Sequence, residues 1–142
     1  MTAHDARPAG PGVAFWLLVV GGVMLMLGGL MAATMSFDAL RQAAPATVSD
    51  QAVRDYALLH RSAGVLFCIA AAGLIALAVR ARGPDPRFRR AVIALGMAIV
   101  VIVAVASVLA GTHILALLSL LPIIVGTLML GRTAVPGRYA DG

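Results

Sequence analysis

Charge is what this chain lacks most. Between Ala91 and Leu130 there is no Asp, Glu, Lys or Arg, and only 12% of its 142 residues are charged against 61% hydrophobic. That balance excludes an ordinary water-soluble domain. Lysine is absent altogether: the eleven basic residues are all arginine. They flank apolar blocks and do not interleave with aromatics, which make up only 5%. The net charge of +5 is therefore not a nucleic-acid footprint. The single cysteine, Cys68, falls inside an apolar block, forms no internal disulfide and reads as a small packing residue. There is no CxxC, CxxCH or HExxH, and no Gly-rich phosphate loop in a strand-helix setting. Covalent haem attachment, zinc hydrolysis and nucleotide binding are left without support.

What is present is a series of uncharged runs of bilayer length. Four spans follow: Val13 to Met35, about Ala57 to Val79, Ala91 to Ala110 and about Ile114 to Leu130. The fold class is all-α, a four-helix transmembrane bundle forming a single integral membrane domain over 1–142. Arg7 before the first span and Ala32-Ala33 after it resemble a signal peptide. The apolar core is longer than a usual h-region, so a retained signal anchor is expected. The bend Arg80-Ala81-Arg82-Gly83-Pro84-Asp85-Pro86-Arg87-Phe88-Arg89-Arg90 breaks the helix with Pro and Gly and concentrates arginine, the positive-inside signal. Alternating spans place Arg7, Arg132 and Arg138 on the same side, so both termini are predicted to be cytoplasmic and the membrane to be the cell (inner or plasma) membrane.

The opposite side carries Ser36 to about Ser49, read as a loop, and a tight turn at Gly111-Thr112-His113. Ser49 followed by Asp50 predicts an N-cap with an acid in the first turn. A helix from Asp50 to Arg80 would be about 45 Å long and would project from a hydrocarbon core of about 30 Å. Small residues recur on every span, which in lipid lets helix backbones approach. Gly21, Gly29 and Ala33 are expected on one face of the first helix. Gly64, Cys68, Ala72 and Ala76 form a strip on the second, and Ala94, Ala98, Ala106 and Ala110 one on the third. Pro122 removes a hydrogen bond to the Leu118 carbonyl, which Ser119 or a neighbouring helix is expected to satisfy.

The chemistry rests on few residues. No carboxylate lies within a span, which disfavours a proton-coupled transporter, and no span has a polar face to line a channel. His60 with Arg61 stands at the outer end of the second span and His113 at the outer start of the fourth. Two neutral imidazoles at matched depth on separate helices can supply both axial ligands of a haem, or one ligand and one base. The small strip below His60 would leave room for a flat macrocycle, and Arg61 could pair with a propionate. On the other reading His113 caps a tight turn and His60 sits in interfacial water. His4, in the N-terminal tail, carries no weight.

The stretch Tyr56-Ala57-Leu58-Leu59-His60-Arg61, the basic bend, a third span and then His113 opening a fourth resemble one four-helix half of the haem A synthase family. The resemblance covers about Gly12 to Gly131. It implies that His60 and His113 ligate haem iron near the outer surface. Ala57 stands where that family carries a Glu three residues before the helix-two histidine. The Gln expected along helix three is missing from Ile99-Val100-Val101-Ile102-Val103, and Ser36 to Ser49 has no cysteine pair. The expectation is therefore haem binding for electron transfer, as in a respiratory chain, or for haem handling, more than an enzyme. The alternative is a non-catalytic accessory subunit or assembly factor of a larger membrane complex. Expected partners are the lipid bilayer and other membrane subunits or further copies of the chain, with no nucleic acid.

Overall fold

Apolar segments that must satisfy every backbone N–H and C=O without water have the helix as their local solution. The computed structural model describes residues 11–110 and 114–132. These form α1 (Pro11–Ala33), α2 (Phe37–Ala43), α3 (Asp50–Arg80), α4 (Pro86–Ala110) and α5 (Ile114–Arg132), with no strand among the described residues. All but α2 are long and apolar enough to cross a membrane, as the spacing of the uncharged runs predicts. The chain ends and the turn at Gly111-Thr112-His113 lie outside the described residues.

The caps account for the boundaries. Ser49 accepts from the Ala52 amide at 3.3 Å, with Asp50 in the first turn, an arrangement worth about 1 kcal/mol. At its far end α3 closes with the Ala81 amide on the Leu77 carbonyl at 2.8 Å. Asp85 then accepts from the Arg87 amide at 2.9 Å. This puts Pro86 at the first helical position of α4, where its missing N–H is no loss.

Packing is a closed ring: α1 lies against α3 and α5, α4 lies against the same two helices, and the backbones of the diagonal pairs α1/α4 and α3/α5 do not approach closely among the described residues. The interior of α3 consists of Val53, Ala57, His60, Gly64, Phe67, Ala71, Leu74 and Ala78. Those steps alternate between four and three, the repeat that keeps one seam facing its partners. The buried positions Val92, Gly96, Ile99 and Val103 of α4 follow the same rule.

This repeat corrects the expected small-residue strips. Successive steps of four rotate about 40° per step around a helix, so Gly64, Cys68, Ala72 and Ala76 wind outward, and Ala72 and Ala76 are exposed. On α4, Ala94 and Ala98 likewise face outward. On α1 the glycines divide between two neighbours. Gly21 and Gly28 meet Ile123 and Ala116 of α5, while Gly22 and Gly29 meet Ile75 and Gly64 of α3. The pairs 21/28 and 22/29 are each a heptad apart, so one helix packs closely against two others along adjacent seams.

The closest approach is reciprocal. A Cβ built on Gly29 would lie 2.7 Å from the Gly64 carbonyl oxygen, and one on Gly64 would lie 2.5 Å from the Gly29 carbonyl oxygen. The two backbones are in contact. Buried hydroxyls satisfy themselves within their own helix: Ser119 donates to the Ala116 carbonyl at 2.6 Å and Thr127 to the Ile123 carbonyl at 2.7 Å. Ser119 therefore does not serve the Leu118 carbonyl beside Pro122.

Gly64→Leu must separate α1 from α3. It is expected to lower stability by at least about 2 kcal/mol, the scale of overpacking, read as earlier thermal unfolding in detergent. Gly131→Leu, where an added Cβ meets nothing within 4 Å, serves as the control; equal losses at both positions would contradict the contact.

Candidate functional site

His60 is the one described ionisable side chain in the buried interior, only 6% exposed. Its place on the four-three repeat, between Ala57 and Gly64, turns the imidazole inward, and its Nε2 is buried. The ring stacks on Tyr56, one turn earlier, with centroids 5.6 Å apart and planes 20° from parallel. Residues four apart share a helix face, so this pairing follows from sequence spacing.

Arg61, one residue on, emerges on a different side. It is exposed, and its Nε donates to the Met35 carbonyl at 3.0 Å, just past the end of α1. An arginine there serves a carbonyl that the helix has left without an internal partner. The Nη groups of Arg61 make no hydrogen bond or ion pair within the described residues.

Above this level the projecting start of α3 carries a small cap. α2 begins where Ser36 accepts from the Ala39 amide at 3.2 Å and ends with the Ala44 amide on Leu40. At seven residues, it is too short to be stable alone and is held by α3. Arg41 locks the return segment, donating through Nη1 to the Val48 carbonyl at 2.8 Å and pairing through Nε with Asp50 at 3.0 Å. Arg54 lies 5.7 Å from the Phe37 ring centroid. The expected loop from Ser36 to Ser49 is thus a helix and a pinned return. The signal for it was the Ser36 cap with Asp38 in the first turn.

An apolar groove of about 330 Å³ lies between α3 and α4, with Leu59, Ala63, Val105 and Ala106 among its walls. His60 lines neither it nor the two grooves that flank α3 toward α2. One, of about 400 Å³, lies between α2 and α3 and is lined by apolar residues including Leu40, Val48 and Val53, with Tyr56 among them. The other, of about 310 Å³, is formed by Phe37, Arg54, Ala57, Leu58 and Arg61. One turn below His60 the α1 and α3 backbones meet. The Gly29-Gly64 contact fills the space in which a macrocycle was expected to lie along the strip. Ala57, in the place of the resemblance's Glu, is buried and offers no carboxylate.

His113 lies outside the described residues, so of the two expected axial histidines the geometry describes one. No group of three or more His, Cys, Asp or Glu that could hold a metal ion occurs among the described residues. What the site offers is one inward imidazole held by an aromatic neighbour, and two arginines at the surface beside it. Comparison with protein-family models, with curated proteins and with solved structures finds no match.

Arg41→Ala removes both tethers of the return segment. Amide hydrogen exchange across 44–50 is expected to accelerate about tenfold or more while exchange in α1 and the lower half of α3 stays unchanged, because exposed loops open independently of packed helices. Unchanged exchange over 44–50 would mean that α2 is held without Arg41.

Proposed function

We propose that this is a small polytopic membrane protein that binds haem at the α2 end of its bundle, with His60 and His113 as axial ligands, serving electron transfer or haem handling. The observation that carries the reading is the burial of His60 on the interior seam of α3. An ionisable ring among apolar helices is costly unless it has a task. The bound group supplies one-electron chemistry. The chain's own part is to present the His60 nitrogen, to hold the ring's plane by the Tyr56 stack, and to keep the Arg61 guanidinium near a propionate while its Nε stays on Met35. Because the α1 and α3 backbones meet at Gly29-Gly64, a haem held by His60 would have to sit above that contact. Ala57 in the place of an acid favours binding over oxidative synthesis.

On this reading the arginine excess at the α3/α4 turn and beyond α5 is the positive-inside signal, which favours a cytoplasmic side for that end and both termini and an outer side of the cell membrane for the α2 end. A reporter inserted near Asp85 is expected to read cytoplasm and one near Pro45 outside; a cytoplasmic signal at Pro45 would reverse the orientation.

A second reading is a non-catalytic accessory subunit or assembly factor of a larger membrane complex, or a homo-oligomer. It is favoured by the outward Ala94 and Ala98 of α4, where another helix could approach closely. The two readings separate on one preparation. Protein purified with haem supplied should show a Soret band that shifts on dithionite reduction and is lost in His60→Ala. A folded, haem-supplied protein with no Soret band overturns the haem reading. Stoichiometric membrane partners that persist when both histidines are replaced by Ala would support the second.

A further inference from the structure

The opposite end of the bundle carries a groove that the histidines do not explain. It holds about 230 Å³ and opens between three helices, with Phe15 and Leu18 of α1, Ala78 of α3 and Leu130 of α5 as its walls and Arg82 at its mouth. The Arg82 guanidinium carbon sits 4.1 Å from the centroid of the Phe15 ring. That stacking fixes the cation at the edge of an apolar slot, and Arg82 has no carboxylate partner among the described residues.

Its surroundings specify an occupant. Arg80, Arg87, Arg89, Arg90 and Arg132 stand at the same end, with Asp85 the one acid among the described residues there. Trp16, the only tryptophan of the chain, is 61% exposed beside Phe15, with the two rings edge to face at 5.5 Å. An exposed Trp at a helix end marks the headgroup level of a bilayer. A cation at headgroup level above an apolar cleft between helices matches a molecule with an anionic phosphate and a hydrocarbon chain.

We infer that the groove bounded by Phe15, Ala78, Arg82 and Leu130 is a binding site for an anionic glycerophospholipid, its phosphodiester on Arg82 and the start of an acyl chain in the slot. A free phosphate would use the arginine and leave the slot unfilled. A zwitterionic lipid would fill the slot and place an ammonium in an arginine-rich field. The site involves neither histidine, so it stands whether or not haem binds.

The test is native mass spectrometry of the full chain in detergent with measured additions of phosphatidylglycerol or phosphatidylcholine. Wild-type protein is expected to retain one phosphatidylglycerol in preference to phosphatidylcholine, undisplaced by excess inorganic phosphate. Arg82→Gln should lower retention about fivefold, the scale of one arginine near an anionic headgroup. Arg87→Gln removes the same charge from the same end outside the groove and should change it little. Gly12→Leu fills the slot from a position where an added Cβ meets nothing within 4 Å. It keeps every charge and should also reduce retention, which keeps the proposal testable if Arg82→Gln fails to fold. Equal effects of Arg82→Gln and Arg87→Gln, no effect of Gly12→Leu, equal retention of phosphatidylcholine, or displacement by phosphate would each overturn it.

Discussion

The structure depends on a backbone contact between two glycines. In lipid there is no hydrophobic gain from bringing apolar helices together, because the tails are as apolar as leucine; close packing must supply the attraction. Gly29 and Gly64 provide it by removing the side chains that would hold α1 and α3 apart. With that point set, the register of the pair follows. Met35 is brought to Arg61, Met26 lies against Cys68, and His60 comes to rest one turn above the contact, facing inward. The neighbouring pair Gly21 and Gly28 does the same for α5, so α1 holds the ring while α4 completes it.

The two ends of the bundle solve different problems. At the α2 end, α3 runs beyond the apolar zone and its exposed turns need cover, which α2 supplies through Arg41 and the Ser36 and Ser49 caps. At the other end the helices stop at a dense arginine cluster, and the connection is made by the tight Asp85-Pro86 entry to α4. In both places arginine does more than mark topology. Arg61 completes a helix end, Arg41 ties a return segment, and Arg82 lies on an aromatic face. Each geometry uses the planar guanidinium in a way an ammonium would not reproduce.

The spans were legible because length and absence of charge are decided by the bilayer alone, and the start of α3 because Ser49 and Asp50 form a cap whose chemistry is local. The small-residue faces were not. Whether Gly29 shares a face with Gly21 or with Gly22 depends on which helices lie to either side. Ala72, Ala76, Ala94 and Ala98 fit a four-residue spacing but not the alternating repeat that a closed ring imposes. α2 escaped notice because seven residues carry little signal apart from their cap. Of the candidate site, the inward turn of His60 follows from a seam that becomes visible only once Ala57, Gly64 and Phe67 are seen buried together. The hydrogen bond from Arg61 to Met35 spans two helices, and nothing local announces it. His113 lies beyond what the geometry describes.

The division of α1 between two partners bears on how the chain is made. α1 is made before α3 and can pack on it early, but its second seam, Gly21 and Gly28, belongs to α5, which is made after both. Until α5 enters the bilayer, those glycines face lipid tails instead of Ile123 and Ala116. Closure of the ring is therefore a late event in biogenesis. A chain interrupted after α4 would be inserted, correctly helical and still open along one side.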